Sequence, residues 1–168
     1  MNSTVIINIL RFIALLAAQV IIFNRVDLFG IAEAYPYILF ILLFPVNGNR
    51  AVLLLSAFTM GILLDMFLNS GGSHAVACTV LAYIRPSIFR FSFGVSYEYQ
   101  TVKINDRLSP ERFSFLLISV VTHHLILYLL EAFRFGLILE VLLRTVLTSL
   151  FTLLLCITII YLIKPGKQ

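Results

Sequence analysis

The thirteen residues AYPYILFILLFPV, Ala34–Val46, decide how this chain folds. They are apolar almost throughout, and a proline stands near each end, at Pro36 and Pro45. Pro36 suits the first turn of a helix, where its missing N–H costs nothing, and Pro45 suits the helix end. A helix of this length rises only about 20 Å at ~1.5 Å per residue. The hydrocarbon core of a bilayer is about 30 Å thick. The segment is therefore either a thin crossing or a partial, re-entrant one.

Composition makes the membrane the relevant solvent. Of 168 residues, 61% are hydrophobic and 12% charged, and the mean hydropathy is +1.04. A soluble domain carries about 25% charge, so this chain could not cover a water-facing surface. It reads as one integral membrane domain over residues 1–168. The net charge of +4 does not indicate nucleic-acid binding, because no stretch joins a dense basic patch to stacking aromatics. Cys78 and Cys156 lie inside apolar runs and read as buried small residues rather than a disulfide or a metal pair. The start, MNSTVIINIL, has no basic n-region and no small-x-small cleavage site follows, so Val5 to Phe23 is expected to be a retained first membrane helix.

Beyond Ala34–Val46, "NGNR" makes a tight turn and a third apolar run extends from Ala51 to Leu68. "NSGGS" breaks it, and a fourth runs from His74 to Phe91 with Pro86 near its end. Residues 92–112 form the longest polar loop. The fifth run is Phe113 to Ala132; the connector FRFGLILEVLLR precedes a sixth, Thr145 to Ile163. The expectation is an all-α polytopic bundle with about six transmembrane helices, or five if Ala34–Val46 does not cross. With both termini in the cytoplasm, the inner side holds Arg50, Arg85, Arg90, Lys103, Arg107, Arg112, Lys164 and Lys167. The outer side holds Arg25, Arg134 and Arg144, with Arg11 inside the first helix and uncounted. Eight against three favours cytoplasmic termini and a cytoplasmic 92–112 loop.

Asp65 is the most conspicuous polar residue in the apolar runs. It sits in the last turn or so of its helix, where the dipole repels an anion. Gly71, Gly72 and Ser73 follow, with Ser73 a plausible N-cap for the next helix. Asp65 is expected to fold back onto that N-terminus or pair with an outer arginine, pinning two helices together; the sharper alternative is a proton or ion site. In the first helix Asn8, Arg11 and Gln19 share one stripe, which should face the bundle or another protein because lipid offers no hydrogen bonds. His124, Tyr128 and Glu131 fall on one face of the fifth helix and read as an interior hydrogen-bonded network; too few ligands converge for a metal. Glu131 with Arg134 and Glu140 with Arg144 have ion-pair spacing. Thr145, Ser149, Thr152 and Cys156 line one face of the sixth helix, a small-residue surface for close packing, either internal or against another subunit, which leaves a homo-oligomer open. No nucleophile elbow, P-loop or zinc spacing occurs, and neither catalysis nor a cofactor is expected.

The stretch MGILLDMFLNSGGSHAVACTVLAYIRP resembles the rod shape-determining protein MreD family. The resemblance rests on Gly61, Asp65 four residues later, the small-residue break and the Leu81–Tyr83 "LAY" segment. YEYQTVKINDRLSPERFSFLLISVVTHHLILYLLEAF is similar to the version found in the Bacteroidetes branch. One departure is Gly71–Gly72, where many members carry a proline–glycine pair. The resemblance implies a non-catalytic component of the bacterial inner (cytoplasmic) membrane, acting in peptidoglycan elongation and cell shape. It implies association with MreC, which has one membrane helix and a periplasmic domain, and through MreC with MreB, RodA and the elongation transpeptidase. The family fold is similar to the substrate-binding subunits of energy-coupling-factor transporters, so a vitamin-binding transporter subunit is the alternative. An ion-coupled transporter is a third reading, disfavoured by the few intramembrane charges.

Overall fold

The computed structural model describes residues 3–28, 30–94, 109–132 and 137–163. It is mostly helical. Five long helices are α1 (Ser3–Ile21), α3 (Arg50–Leu68), α4 (Ser73–Phe93), α5 (Pro110–Ala132) and α6 (Ile138–Ile163), and α2 (Leu39–Leu42) is a single turn. After α1, a 3₁₀ turn at Phe23–Arg25 leads into a two-residue hairpin, β1 (Asp27–Leu28) and β2 (Ala32–Glu33), with Asp27 opposite Glu33 and Leu28 opposite Ala32. Four helical stretches are long and apolar enough to cross a membrane: Thr4–Arg25, Arg50–Leu68, Pro110–Ala132 and Ile138–Ile163. The remaining long helix, α4, is of similar length but carries His74, Arg85 and Arg90.

Helices α3 to α6 pack each against the next in sequence. Phe89 of α4 and Phe115 of α5 pack with ring centres 4.2 Å apart and planes tilted by 32°, a contact that adds to simple area burial. Large apolar side chains remain outside, among them Ile7 and Leu10 on α1, Leu55 and Phe58 on α3, and Leu139 and Leu150 on α6. In lipid such a surface carries no hydrophobic cost.

Ala34–Val46 does not form a thirteen-residue helix. A 3₁₀ turn, Pro36–Ile38, and the single turn α2 make only seven helical residues. Tyr35 through Leu42 are all buried, most of them completely. The segment runs antiparallel to α1: Gln19 Nε2 donates to Ala34 O at 2.9 Å, and Arg11 Nη1 donates to Leu43 O at 2.8 Å. It runs in the same direction as α4, with Tyr37 beside His74 and Leu42 and Phe44 beside Arg85. Since α4 is antiparallel to α3, the starts of α1 and α3 lie at the same end of the bundle.

Other boundaries differ from the sequence expectation. α4 passes through Pro86, as the sequence reading has it, but continues beyond Phe91 to Phe93 and ends on Gly94 at φ +78°. Residues 138–144 of the connector are helical, so α6 begins at Ile138 rather than Thr145. Of the 92–112 loop, residues 92–93 belong to α4 and 110–112 to α5, and 95–108 lie outside the described residues. Arg85 is not a loop cation: it is 4% exposed inside α4, which reduces the inner-side count from eight to seven.

Candidate functional site

The polar side chains converge on two places, the joint between α3 and α4 and the backbone of the short second segment. At the joint, α3 ends on Asn69 in the left-handed conformation, φ +55°. Gly71 and Gly72 follow at φ +65° and +100°, conformations that proline cannot adopt and most side chains resist. Asp65 Oδ1 accepts from the His74 N–H at 3.0 Å and from Ser70 Oγ at 2.5 Å, while Oδ2 accepts from the Ala75 N–H at 2.9 Å. The carboxylate thus takes two of the orphan amides of α4 and sits at the positive end of its dipole, which offsets the repulsion from the C-terminus of α3. Among the described residues, no arginine is its hydrogen-bond partner. Ser73 is not the N-cap either: it is the first helical residue after Gly72, and its hydroxyl donates to Ser70 O at 3.0 Å.

Gly61 lies one turn before Asp65, on the same face. A Cβ there would come within 2.6 Å of both Ala75 N and His74 O. Only glycine lets the first turn of α4 press onto α3, and that approach puts its amides within reach of Asp65.

The second segment exposes backbone groups that its short helix cannot satisfy, and side chains from three helices, α1, α4 and α6, satisfy them. At its start, Tyr35 N donates to Thr152 Oγ1 at 3.2 Å, Glu33 N to Thr148 Oγ1 at 3.4 Å, and Gln19 covers Ala34 O. At its end, Arg85 donates to Leu42 O and Phe44 O, and Arg11 to Leu43 O. Guanidinium groups on the last carbonyls of a helix also complement its dipole. In the middle, the Tyr37 hydroxyl lies 2.8 Å from His74 Nδ1 and 3.1 Å from His123 Nε2. One O–H donates to one ring only, so the other ring donates to the phenol oxygen. With both imidazoles neutral, the two rings therefore share one tautomer. Cys78 Sγ stands 3.8 Å from the same His123 nitrogen.

The expected α1 stripe of Asn8, Arg11 and Gln19 faces this segment, with Arg11 also donating to Asn8 Oδ1 at 3.2 Å. Between α5 and α6, Ser149 Oγ pairs with His124 Nδ1 at 3.3 Å and the Tyr128 hydroxyl with Thr148 Oγ1 at 2.8 Å. The small-residue face of α6, Thr145, Ser149, Thr152 and Cys156, is buried within this chain. Glu140 and Arg144 form an ion pair at 3.3 Å; Arg134, the expected partner of Glu131, lies outside the described residues. At the hairpin, the Tyr35 hydroxyl donates to the Glu33 carboxylate. Desolvation raises the Glu33 carboxyl above its ordinary value, Arg144 opposes the shift and Asp27 adds to it.

Tyr37, Cys78 and His123 have no exposed surface and His74 has 1%, so no substrate reaches the imidazole–phenol–thiol cluster from outside. Among the described residues no three His, Cys, Asp or Glu side chains are grouped to hold a metal. The arrangement is a hydrogen-bonded clamp on a broken helix. Sequence reasoning missed Tyr37, His74, His123, Thr148 and Arg85 as members of it. The available signal was the shortness of Ala34–Val46, which obliges other helices to supply its missing hydrogen bonds. No family model, no curated protein and no solved structure matches the chain.

Proposed function

We propose that the chain is a non-catalytic scaffold of the cell-elongation complex in the bacterial inner membrane, of the MreD type, binding MreC. The observation that carries this reading is the α3–α4 joint. Gly61, Asp65 and the small-residue break, the residues on which the resemblance rests, act as one unit there. A motif that builds a rigid corner suits a protein whose work is to present helix surfaces. In this reading the chain traverses the membrane six times, the second time as the broken segment. Irregular backbone at membrane depth is tolerated when it is enclosed by protein, as this segment is. The termini face the cytoplasm, consistent with the corrected count of seven Lys and Arg against three.

The test is affinity purification of the tagged chain from its native membranes. MreC recovered in stoichiometric amount, and lost with Asp65→Leu in protein that still inserts, is the expected result. Absence of MreC from intact wild-type complexes would overturn it. A second reading, a small-molecule-binding subunit of an energy-coupling-factor transporter, draws on a polar hollow of about 280 Å³ at the hairpin end, lined by Arg25, Asp27, Glu33 and Tyr35 among others. It calls for a vitamin-sized ligand and an ATPase module in the same preparation.

A further inference from the structure

At the end of the bundle opposite the α3–α4 joint, a hollow of about 470 Å³ opens beside the start of α3 and the last turns of α4. Its walls are Arg50, Pro86, Ser87, Arg90 and Phe91. Two guanidinium groups and a hydroxyl therefore share one hollow whose other two walls are apolar. Arg50 is held in place: its Nη2 donates to Tyr83 O at 3.1 Å, and its guanidinium lies 5.0 Å from the centre of the Tyr83 ring. Tyr83 and Phe91 are 61% and 78% exposed, the aromatic character of a membrane–water boundary. Pro86 adds no N–H, so the wall between the two arginines presents no backbone donor at that point.

From this arrangement we propose that the hollow receives the phosphate of an anionic phospholipid, with Arg50 and Arg90 on its oxygens, Ser87 donating to it, and the acyl chains against Phe91 and the exposed apolar face beside it. Guanidinium matches phosphate bidentately and is weakly hydrated, which suits a site at the membrane boundary. Basic pockets between membrane helices are where anionic head groups are held. The lipid is favoured over a free anion because the site combines charge with exposed aromatic surface at the depth of the head groups. The inference rests on the helices spanning a membrane, and not on MreC.

The test uses the full chain purified in mild detergent and native mass spectrometry with phosphatidylglycerol or phosphatidylcholine added. Wild type should retain phosphatidylglycerol in preference to phosphatidylcholine. Arg50→Gln with Arg90→Gln should lower that preference by roughly tenfold or more, since each cation near the surface contributes on the order of a kcal/mol. Arg144→Gln, on α6 at the other end, should leave it unchanged. Equal preference in the double variant would overturn the site. Displacement of the lipid by inorganic phosphate at equal concentration would show a free-anion site and overturn the lipid assignment. Should the double variant not fold, a photoactivatable anionic phospholipid on wild-type protein decides: adducts within residues 83–91, competed by phosphatidylglycerol and not by phosphatidylcholine, support the proposal, and adducts confined elsewhere overturn it.

Discussion

Asp65 holds three donors with two oxygens, and the substitutions at this position separate charge from shape. Asp65→Leu leaves the His74 and Ala75 amides without an acceptor, and each unsatisfied buried donor costs on the order of 1–3 kcal/mol. Asp65→Asn keeps one oxygen but turns an NH₂ toward an amide or hydroxyl donor and removes the charge from the dipole. It should fall between wild type and Leu in thermal stability in detergent. If Asn and Leu leave the midpoint unchanged, Asp65 is not what joins the helices. Gly61→Ala forces a methyl into the Ala75 and His74 backbone, an overpacking cost of about 1–3 kcal/mol. Because that methyl also pushes the α4 amides away from Asp65, the Gly61→Ala, Asp65→Leu double variant should lose less than the sum of the single losses; strict additivity would argue against a shared joint. Glu33 offers a pH test. Its carboxyl is raised in the folded chain, so the folded state binds its proton more tightly than the unfolded state. Glu33 should therefore favour folding most below its ordinary 4.5, and that contribution should be lost as pH rises through the raised folded value. Stability measured against pH should fall less steeply over that window in Glu33→Gln than in wild type. Identical curves would refute the role.

The short second segment shows how elements can be read from sequence and where that reading stops. Its anomaly was visible: two bracketing prolines and too few residues for a crossing. The Asn8, Arg11 and Gln19 stripe was visible as well, because helical periodicity places residues on faces. What the sequence could not give was the partner of each face. Arg85 looks like a charge near a helix end beside a proline, and only its tertiary setting shows it on the carbonyls of Leu42 and Phe44. The sequence reading carries the fourth helix past Pro86 to Phe91, and α4 continues to Phe93, packed against α5 through Phe89, so packing outweighs the local cost of proline. His123 and His124 are adjacent in the chain but face different neighbours, Tyr37 and Ser149. The clamp can be tested at the element level. Tyr37→Phe removes the hydroxyl that joins two buried imidazoles, and should cost on the order of 1–3 kcal/mol in thermal stability. His123→Ala in the Tyr37→Phe background should then cost less than it does alone. Equal costs in the two backgrounds would show that the phenol and the imidazole act independently.

At the scale of the molecule, the brevity of α2 has a visible consequence. Between the first half of α1 and the start of α3 lies an apolar groove of about 570 Å³, with Phe40 and Phe44 among its walls. The direction of the second segment also sets the parity of the whole chain. If that segment returns across the membrane, the starts of α1 and α3 share one side and the hairpin and the α3–α4 joint share the other. If it does not, every later helix reverses. Three exposed positions distinguish the cases: Asn24 after α1, Asn47 before α3 and Asn69 after α3. Each is changed singly to cysteine in a chain whose buried Cys78 and Cys156 have been replaced by alanine. Asn24→Cys and Asn69→Cys should react with a membrane-impermeant maleimide applied to spheroplasts, whereas Asn47→Cys should react only after the membrane is opened. Matching behaviour of Asn24→Cys and Asn47→Cys would mean that the broken segment enters and leaves by one face, giving five crossings and termini on opposite sides. The Lys and Arg would then divide eight to two, because Arg25 joins the side that holds Arg50, Arg90 and the 92–112 loop while Arg134 and Arg144 stand opposite, so the count would place the N-terminus outside. The antiparallel contacts of Arg11 and Gln19 along α1, rather than the charge count, therefore carry the case for six traverses.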